Sequence, residues 1–266
     1  MIIDFHTHIF PDKIADRTIS YLAQKADILP STNGKVKGLL EEMENAGVDI
    51  SIALPVLTSP DQFDSVLAYT ERVNTEYFGK IISFMGMHPD SADKEDKIRL
   101  IKEKGFKGIK IHPDYQGVYF DDERYIEILS LAKRYDLVVV THAGVDYGFR
   151  ENLVKCTPNR VLNAIDKVGD MKLVLAHFGG FEMYDEVYEK LAGKPVYFDT
   201  SFVLSETDDK SFKKMLLRHG ADKILFATDS PWSNAKCDIQ KIKSFELDKE
   251  TEDKIFYKNA VRLLGL

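Results

Sequence analysis

Two histidines, His6 and His8, stand two residues apart near the start of the chain. Because side chains along an extended strand alternate between its two faces, both imidazoles are expected to point to one side and to chelate one ion together. A third nitrogen from His142 and an oxygen from Asp229 would complete the site and leave room for a water, as in catalytic metal centres. We therefore predict a divalent metal ion with these four ligands, zinc first and manganese, iron or cobalt as alternatives.

Two carboxylates near these histidines have different expected roles. A carboxylate beside a metal-bound water can take its proton during attack on a substrate, because the metal lowers the pKa of the water toward ~7. Asp229 is therefore a candidate catalytic base as well as a ligand, and the alternative is a cap on a helix that begins at Ser230-Pro231. Asp4 faces the same side as His6 by the period of two, and we expect it to be a buried hydrogen-bonding partner.

Six of the seven histidines fall at or just beyond the ends of short apolar, β-branched runs, and only His219 does not. A single histidine at such a position is commonly a core or rim residue. Six at the same end of one set of parallel strands would converge on a single opening, where neutral nitrogens suit zinc and related ions. The six are His6, His8, His88, His112, His142 and His177.

The apolar runs predict the architecture. Eight of them recur at intervals that average about 32 residues, the size of a strand and helix with their loops. They are continuous rather than alternating, as expected for parallel strands covered on both faces. Eight such units predict one α/β domain over residues 1–266, built as a (β/α)8 TIM barrel. The runs are Ile2–His6, Asp49–Pro55, Lys80–Met87, Gly108–His112, Leu137–His142, Lys172–His177, Pro195–Thr200 and Lys223–Asp229.

Two connections are longer than the pattern requires. Extra length in a barrel usually lies in the loops at the carboxyl ends of the strands, where active sites are built. The first, Ile9–Val36, contains a weakly helical segment at Ile14–Gln24 and is either a flap over the barrel opening or a structural insertion. The second, Val145–Pro158, contains Arg150, which would suit an anionic substrate.

Composition limits the partners and the compartment. Forty-three acidic against 36 basic residues give a net charge of -7, which disfavours binding to nucleic acid or to anionic membranes. Two cysteines, Cys156 and Cys237, allow no disulfide scaffold and are expected to be reduced thiols. The start of the chain has no signal-peptide pattern, and no stretch approaches the ~20 apolar residues of a membrane span. We expect a cytoplasmic protein that acts on a small molecule.

Six segments, spread from the first residues to the last, carry patterns at strand ends and near the C-terminus: Ile3-Asp4-Phe5-His6-Thr7-His8, Gly108-Ile109-Lys110-Ile111-His112-Pro113, Thr141-His142-Ala143-Gly144, Ala176-His177-Phe178-Gly179-Gly180, Ala227-Thr228-Asp229-Ser230-Pro231-Trp232 and Asn259-Ala260-Val261-Arg262-Leu263-Leu264. Each segment alone is weakly specific. Their order and spacing resemble the amidohydrolase-related branch of the amidohydrolase superfamily.

This resemblance implies a distorted (β/α)8 barrel with a metal ion, usually zinc, at His6, His8, His142 and Asp229. It also implies that His177 lies near the metal and the substrate, as a further ligand or a proton-transfer group. Asp229 and His177 are therefore the candidate catalytic residues. Dimers are common in the family, so a homodimer is an expected assembly.

The role of Lys110 stays open. In binuclear amidohydrolases a lysine at the end of the fourth strand is carboxylated by carbon dioxide and bridges two metals, and Lys110 occupies a similar place. The alternatives are an unmodified lysine that pairs with a substrate carboxylate or with Asp229, because a buried lysine readily serves as a positive anchor. The further candidates for substrate contacts are His112, Arg150 and Trp232.

The resemblance allows two reactions. In the first, the metal polarises a carbonyl of a small, carboxylated ester, lactone or amide, and its bound hydroxide attacks with Asp229 as base. In the alternative, a nonoxidative decarboxylation of an aromatic or enolic acid, the metal binds the carboxylate while His177 or Asp229 gives a proton to carbon. The hydrolase is the first expectation.

Two other functions are less favoured. A TatD-like deoxyribonuclease also combines an opening His-x-His with a late Thr-Asp-Ser-Pro, but this chain has Lys110 and His112 where a glutamate is expected, and its net charge of -7 is unhelpful for DNA. A barrel that binds a small ligand without turnover is the non-catalytic alternative, and the complete set of four ligands argues against it.

Overall fold

The structure, a computed structural model, describes residues 1–266. Each of the eight apolar runs contains a strand, and the third run holds two short strands separated by Phe84. All neighbouring strands pair in parallel, as their apolar composition predicts. The strands are β1 (Ile3–Thr7), β2 (Ile50–Ala53), β3 (Ile81–Ser83), β4 (Met85–Gly86), β5 (Gly108–Ile111), β6 (Val138–Thr141), β7 (Leu173–Leu175), β8 (Tyr197–Asp199) and β9 (Ile224–Leu225).

The strands form two sheets that together complete a ring. One sheet has the order β1-β2-β3 and the other runs from β4 to β9 in sequence order. The chain passes directly from β3 to β4 on one side. On the other side, the Phe5 amide donates to the Phe226 carbonyl at 2.9 Å and the Asp229 amide donates to the His6 carbonyl at 2.8 Å. The structure therefore confirms the predicted barrel and shows a distortion where the third run divides.

Helices cover the outside of the ring. In Glu123–Arg134, for example, Ile128 and Leu129 are buried against the strands, and the Asp122 carboxylate caps the first turn by accepting from the Arg124 amide. No helix is both long enough and apolar enough to span a bilayer. The α-helices are α1 (Asp12–Ala26), α2 (Val36–Ala46), α3 (Phe63–Glu76), α4 (Lys94–Glu103), α5 (Pro113–Gln116), α6 (Glu123–Arg134), α7 (Pro158–Val168), α8 (Tyr184–Lys190), α9 (Asp209–His219), α10 (Ala235–Ser244), α11 (Lys249–Asp253) and α12 (Asn259–Leu264).

Two hydrophobic clusters account for the core. The larger lies between the strands and the surrounding helices. The smaller fills the barrel and includes Val138, Val140 and Val174 from neighbouring strands. Leu263 and Leu264 of α12 belong to this inner cluster, so the last helix closes the barrel interior opposite the functional opening. Because this inner cluster is closely packed, only the carboxyl end of the ring is left for a ligand.

A register shift in β1 positions the first histidine pair. The pairing of β1 with β2 is irregular between Asp4 and Thr7, which inserts an extra residue into β1. As a result Phe5 joins the inner hydrophobic cluster while His6 also faces the barrel opening. Asp4 is buried and accepts a 2.7 Å hydrogen bond from the Thr228 hydroxyl, as expected of a hydrogen-bonding partner. His6 and His8 both line the barrel opening, as the period of two predicted, but Asp4 does not. The bulge between Asp4 and Thr7 interrupts the period there.

Candidate metal centre

A cavity of about 470 Å³ opens at the carboxyl ends of the strands. Its floor carries five of the six strand-end histidines together with Lys110 and Asp229, and most of its other lining side chains are apolar. Helix α1, in the long first connection, contributes Tyr21, Leu22 and Lys25 to the wall, which places this insertion over the opening as a flap. The five histidines are His6, His8, His112, His142 and His177.

Three possible ligand atoms meet at one point of this floor. The Nε2 atom of His8 lies 3.1 Å from Oδ1 of Asp229. The Nε2 atom of His6 lies 3.3 Å from the same oxygen and 3.2 Å from Nε2 of His8. Burial raises the pKa of Asp229, but the neighbouring His6 and His8 rings lower it by more, so that the pKa of this carboxyl lies below its usual value. Asp229 is therefore available as a charged ligand.

Hydrogen bonds on the far side of each ring select the tautomer. The Nδ1 atom of His6 lies 2.9 Å from Oδ2 of Asp199, and Nδ1 of His8 lies 2.8 Å from the carbonyl oxygen of Leu54. A carboxylate and a carbonyl only accept, so each Nδ1–H donates to its partner. Each Nε2 is left with a lone pair directed toward Asp229.

A second chain of hydrogen bonds does the same for His142. The Nδ1 atom of His177 lies 3.0 Å from the carbonyl oxygen of Ser201 and donates to it. His177 Nε2 can then accept from Nδ1 of His142 at 3.0 Å. The remaining nitrogen, Nε2 of His142, is buried and has no hydrogen-bond partner. An unsatisfied buried acceptor costs about 1–3 kcal/mol, so this atom needs a partner that the protein does not supply.

This donor set fits a divalent metal ion. Ligand atoms of His6, His8 and Asp229 lie within 4.8 Å of one another, and lone pairs at such separations repel unless a proton or a cation lies among them. Burial lowers the pKa of His6 and of His142 well below the usual range, which disfavours the proton. His142 also belongs to a neighbouring group of possible ligands with His112 and Asp146. Imidazole nitrogens with one carboxylate suit zinc, manganese and related ions.

The loop that carries Asp229 is held in an unusual conformation. Asp229 has a φ of 70°, in the left-handed region that aspartate tolerates better than most residues. The Ser230 hydroxyl that follows donates to Oε2 of Glu42 on α2 at 2.6 Å, which ties the loop to the helix layer. The next helix, α10, is capped by Asn234 instead. The alternative in which Asp229 caps a helix was therefore wrong.

Lys110 lies at the cavity floor beside the histidines. Its side chain is fully buried, and its Nζ atom is 3.1 Å from Nε2 of His6. Burial lowers the pKa of Lys110 to about 8, against the opposing attraction of Asp199 and Asp229. The lysine is thus placed to face whatever binds at the metal ligands.

Two of the predicted substrate contacts line the cavity. The ring of His112 stacks on the ring of His142 with centroids 4.4 Å apart and an interplanar angle of 8°. Trp232, three residues after Asp229, also lines the cavity. Both side chains are positioned to touch a bound molecule.

Two other sequence candidates lie outside the lining. Arg150 is directed away from the floor, because its guanidinium pairs with Glu182 at 3.2 Å and stacks 3.7 Å above the ring of Tyr147. His88 follows the divided third run, and its Nδ1 atom accepts from the Asp90 amide at 3.1 Å. The expectation that all six strand-end histidines share one opening was wrong for His88.

Asp199 is a site residue that the sequence did not single out. It is fully buried and accepts from His6 Nδ1 with one oxygen and from the backbone amides of His177 and Ser201, at 3.0 and 3.1 Å, with the other. Its only signal was its place at the end of the run Pro195–Thr200. A carboxylate that orients a ligand histidine in this way fixes its tautomer and raises its basicity.

Replacing Asp199 with Asn is expected to weaken metal binding by about 10–100-fold. An amide has one acceptor oxygen, so either the ring of His6 or the backbone amide of His177 loses its partner, and the His6 tautomer is no longer fixed. Metal affinity measured by competition with a chelating dye checks this result. The exposed variant Asp136→Asn serves as a control that should bind metal normally, and unchanged affinity in Asp199→Asn would contradict the orienting role.

Solved structures with the same fold cover almost the entire chain. A 2,6-dihydroxybenzoate decarboxylase from Rhizobium is 15% identical with a TM-score of 0.72, over 99% of this chain and 98% of that one. A 5-carboxyvanillate decarboxylase from Sphingomonas paucimobilis is 13% identical with a TM-score of 0.72, over 100% and 99%. A dihydroxybenzoic acid decarboxylase from Polaromonas, with bound manganese and the inhibitor 2-nitroresorcinol, is 16% identical with a TM-score of 0.74, over 100% and 97%. At these identities the likeness establishes the fold.

Sequence comparisons place the chain in a family. No curated protein sequence gives a significant match. The family model described as amidohydrolase matches residues 3–266, a span that includes every candidate ligand named above. The chain therefore belongs to the amidohydrolase family, as the residues at its strand ends predicted.

Proposed function

We propose that the protein is a metal-dependent nonoxidative decarboxylase of a small aromatic carboxylic acid. The observation that carries the proposal is the division of the cavity into a floor of metal-binding groups with Lys110 and a largely apolar wall, which supplies the 14 hydrophobic residues among the 26 that line the whole cavity. Such a wall suits the faces of a flat ring, and the floor suits a carboxylate. The decarboxylases of similar fold act on acids of this kind, as their names state.

The four predicted ligands, His6, His8, His142 and Asp229, would hold the metal ion. When bound, the ion supplies a positive charge for the carboxylate and an adjacent oxygen of the acid. Lys110 adds a second positive group at the floor, and its buried ammonium restricts how the carboxylate can lie. The apolar wall excludes water from the ring.

Decarboxylation then needs one proton at carbon. The bond between the ring carbon and the carboxylate breaks, carbon dioxide leaves, and the electron pair that remains on the ring carbon takes a proton. Asp229 and His177 are the candidate groups for delivering this proton, because both line the cavity beside the ligand set. Each must first take up a proton from solvent, because the Asp229 carboxylate is held charged and Nε2 of His177 accepts from His142. Whichever donates is protonated again from solvent, so one proton is consumed for each carbon dioxide released.

A hydrolase is the second candidate, favoured by the position of Asp229 itself. Its carboxylate lies 3.1 Å from Nε2 of His8, where it could take a proton from a water bound at the same ligands. The same floor could therefore serve an ester, lactone or amide. The aromatic acid is preferred because the decarboxylases share this fold along nearly their whole length.

The test is incubation of the metal-loaded protein with a panel of hydroxybenzoates that includes 2,6-dihydroxybenzoate. We expect release of one carbon dioxide for each molecule of decarboxylated product. In heavy water the product should carry one deuterium at the carbon that lost the carboxylate, because the proton comes from solvent-exchangeable groups. Metal-free protein is the control and should be inactive. Hydrolysis of a parallel panel of lactones and esters, with no carbon dioxide from any acid, would replace the proposal with the hydrolase.

The metal and the setting of the enzyme are part of this proposal. Zinc suits the donor set, and manganese is the first alternative because the Polaromonas relative contains it. We further propose a single-domain cytoplasmic enzyme with a small-molecule substrate, no nucleic-acid or membrane partner, and a homodimeric assembly. The two free cysteines, Cys156 and Cys237, support a reducing compartment. Elemental analysis of the purified protein identifies the metal.

A further inference from the structure

Lys25 is a cation on the cavity wall that has aromatic neighbours but no ion-pair or hydrogen-bond partner in the protein. It lies in the last turn of α1, and its Nζ atom sits 3.4 Å from the ring centroid of Phe149 and 5.1 Å from that of Tyr115. No carboxylate lies within ion-pair distance of it, and its ammonium donates no hydrogen bond to the protein. The N–H donors of this half-buried ammonium that do not face the Phe149 ring are therefore free for a ligand.

The nearby charged groups are already engaged. Asp146, on the same connection as Phe149, accepts from the Gly148 amide at 2.7 Å with Oδ1, and its Oδ2 lies 3.3 Å from Nε2 of His112. Arg150 is paired with Glu182 and lies outside the lining. Lys25 and Lys110 are consequently the only cationic residues that line the cavity.

Aromatic rings lead along one wall from Lys25 to the candidate metal ligand His142. Tyr115 packs edge-on against His112 with ring centroids 4.6 Å apart, and His112 stacks on His142 at 4.4 Å. The ammonium of Lys25 lies at the far end of this row from the candidate metal ligands. A flat molecule lying along the row with one end at the floor would extend its other end toward Lys25.

We infer that Lys25 is a specificity-determining residue that binds a second carboxylate of the substrate, so that the enzyme selects aromatic dicarboxylates over monocarboxylates. The inference rests on the proposed function only for the statement that the substrate is an aromatic acid. Cation–π contacts with Phe149 and Tyr115 hold the ammonium in place and leave its N–H groups for a charge-assisted hydrogen bond.

Binding of two simple probes tests the inference without turnover. Benzene-1,4-dicarboxylate and benzoate are titrated into the zinc-loaded protein, with the fluorescence of Trp232 as the signal, because it is the only tryptophan and it lines the cavity. We expect the dicarboxylate to bind about tenfold more tightly than benzoate in the wild type, because it makes one additional charge-assisted contact in a partly open site. In Lys25→Met the ratio of the two affinities should fall to about one.

Two variants and one condition sharpen the result. Lys13→Met removes the same charge from an exposed position on the same helix, so it should keep the preference. Lys25→Arg should retain most of it, because the charge remains. The preference should also shrink as ionic strength rises. A preference that survives in Lys25→Met, or a wild type that binds the two probes equally or binds neither, would overturn the inference.

The outcomes of this experiment and of the decarboxylase assay are separable. A Lys25-dependent preference without any release of carbon dioxide would reject the proposed reaction and keep the binding role of Lys25. Release of carbon dioxide from monocarboxylates, with equal rates in wild type and Lys25→Met and no preference between the probes, would reject the role of Lys25 and keep the reaction.

Discussion

Asp229→Asn is expected to lower the rate of carbon dioxide release by at least about 10³-fold while the protein stays folded. The substitution removes the charge that faces the Nε2 atoms of His6 and His8, and with it both a metal ligand and a candidate proton donor. Asparagine is the suitable replacement because it tolerates the φ of 70° at this position, whereas a β-branched residue would strain the loop. Single-turnover kinetics, with metal content measured on the same sample, checks the result.

The matched control is Asp136→Asn. Asp136 also has a positive φ, of 51°, but it lies just before β6, at the opposite end of the barrel, where it pairs with Lys172 at 2.7 Å. Its variant should keep the wild-type rate within about twofold, as surface substitutions usually do. If Asp229→Asn with full metal content retained a rate similar to this control, Asp229 would be neither the base nor the proton donor.

Much of the barrel could be predicted because local amino-acid composition indicates where the strands lie. Continuous apolar runs such as Leu137–His142 must be buried on both faces, and their regular recurrence leaves few alternatives to a ring of parallel strands. The carboxyl ends of parallel strands share one edge, so the sequence alone predicted that His112, His142 and His177 lie together. All three line the cavity. The histidines at the ends of the apolar runs therefore indicated where the site lies.

The exceptions are places where backbone hydrogen bonding, and not hydrophobicity, decides the geometry. The third run, Lys80–Met87, is mostly apolar, yet it divides at Phe84, and His88 beyond it does not line the cavity. The bulge in β1 places both Phe5 and His6 toward the interior, which a strict period of two forbids. Composition does not reveal either irregularity.

Residues that act through other residues were also hidden. Asp199 and His6 are 193 positions apart in the sequence, and Glu42 and Ser230 are 188 apart. The role of such a buried carboxylate follows from the groups that donate hydrogen bonds to it. These groups come together only in the folded barrel. Lys25 is a similar case. A lysine in an amphipathic helix is normally solvated, and only the fold shows that this one lines a cavity.

His8→Ala is expected to weaken metal binding by more than about 100-fold, beyond the effect of removing a partner such as Asp199, and to abolish activity. His8 offers an Nε2 lone pair 3.1 Å from Asp229, so alanine deletes one donor of the site. The fold should survive, because the lost hydrogen bond to the Leu54 carbonyl contributes only about 1 kcal/mol. Elemental analysis and circular dichroism on the same preparation check both statements.

Two further alanine variants decide whether the metal reaches beyond the cluster of His6, His8 and Asp229. His142→Ala should also lose metal, because its buried Nε2 atom has no protein partner and is expected to bind the ion. His88→Ala should keep both metal and activity, since this strand-end histidine does not line the cavity. Full metal content in His142→Ala would limit the site to the three converging ligands, and retention of metal and activity in His8→Ala would remove His8 from it.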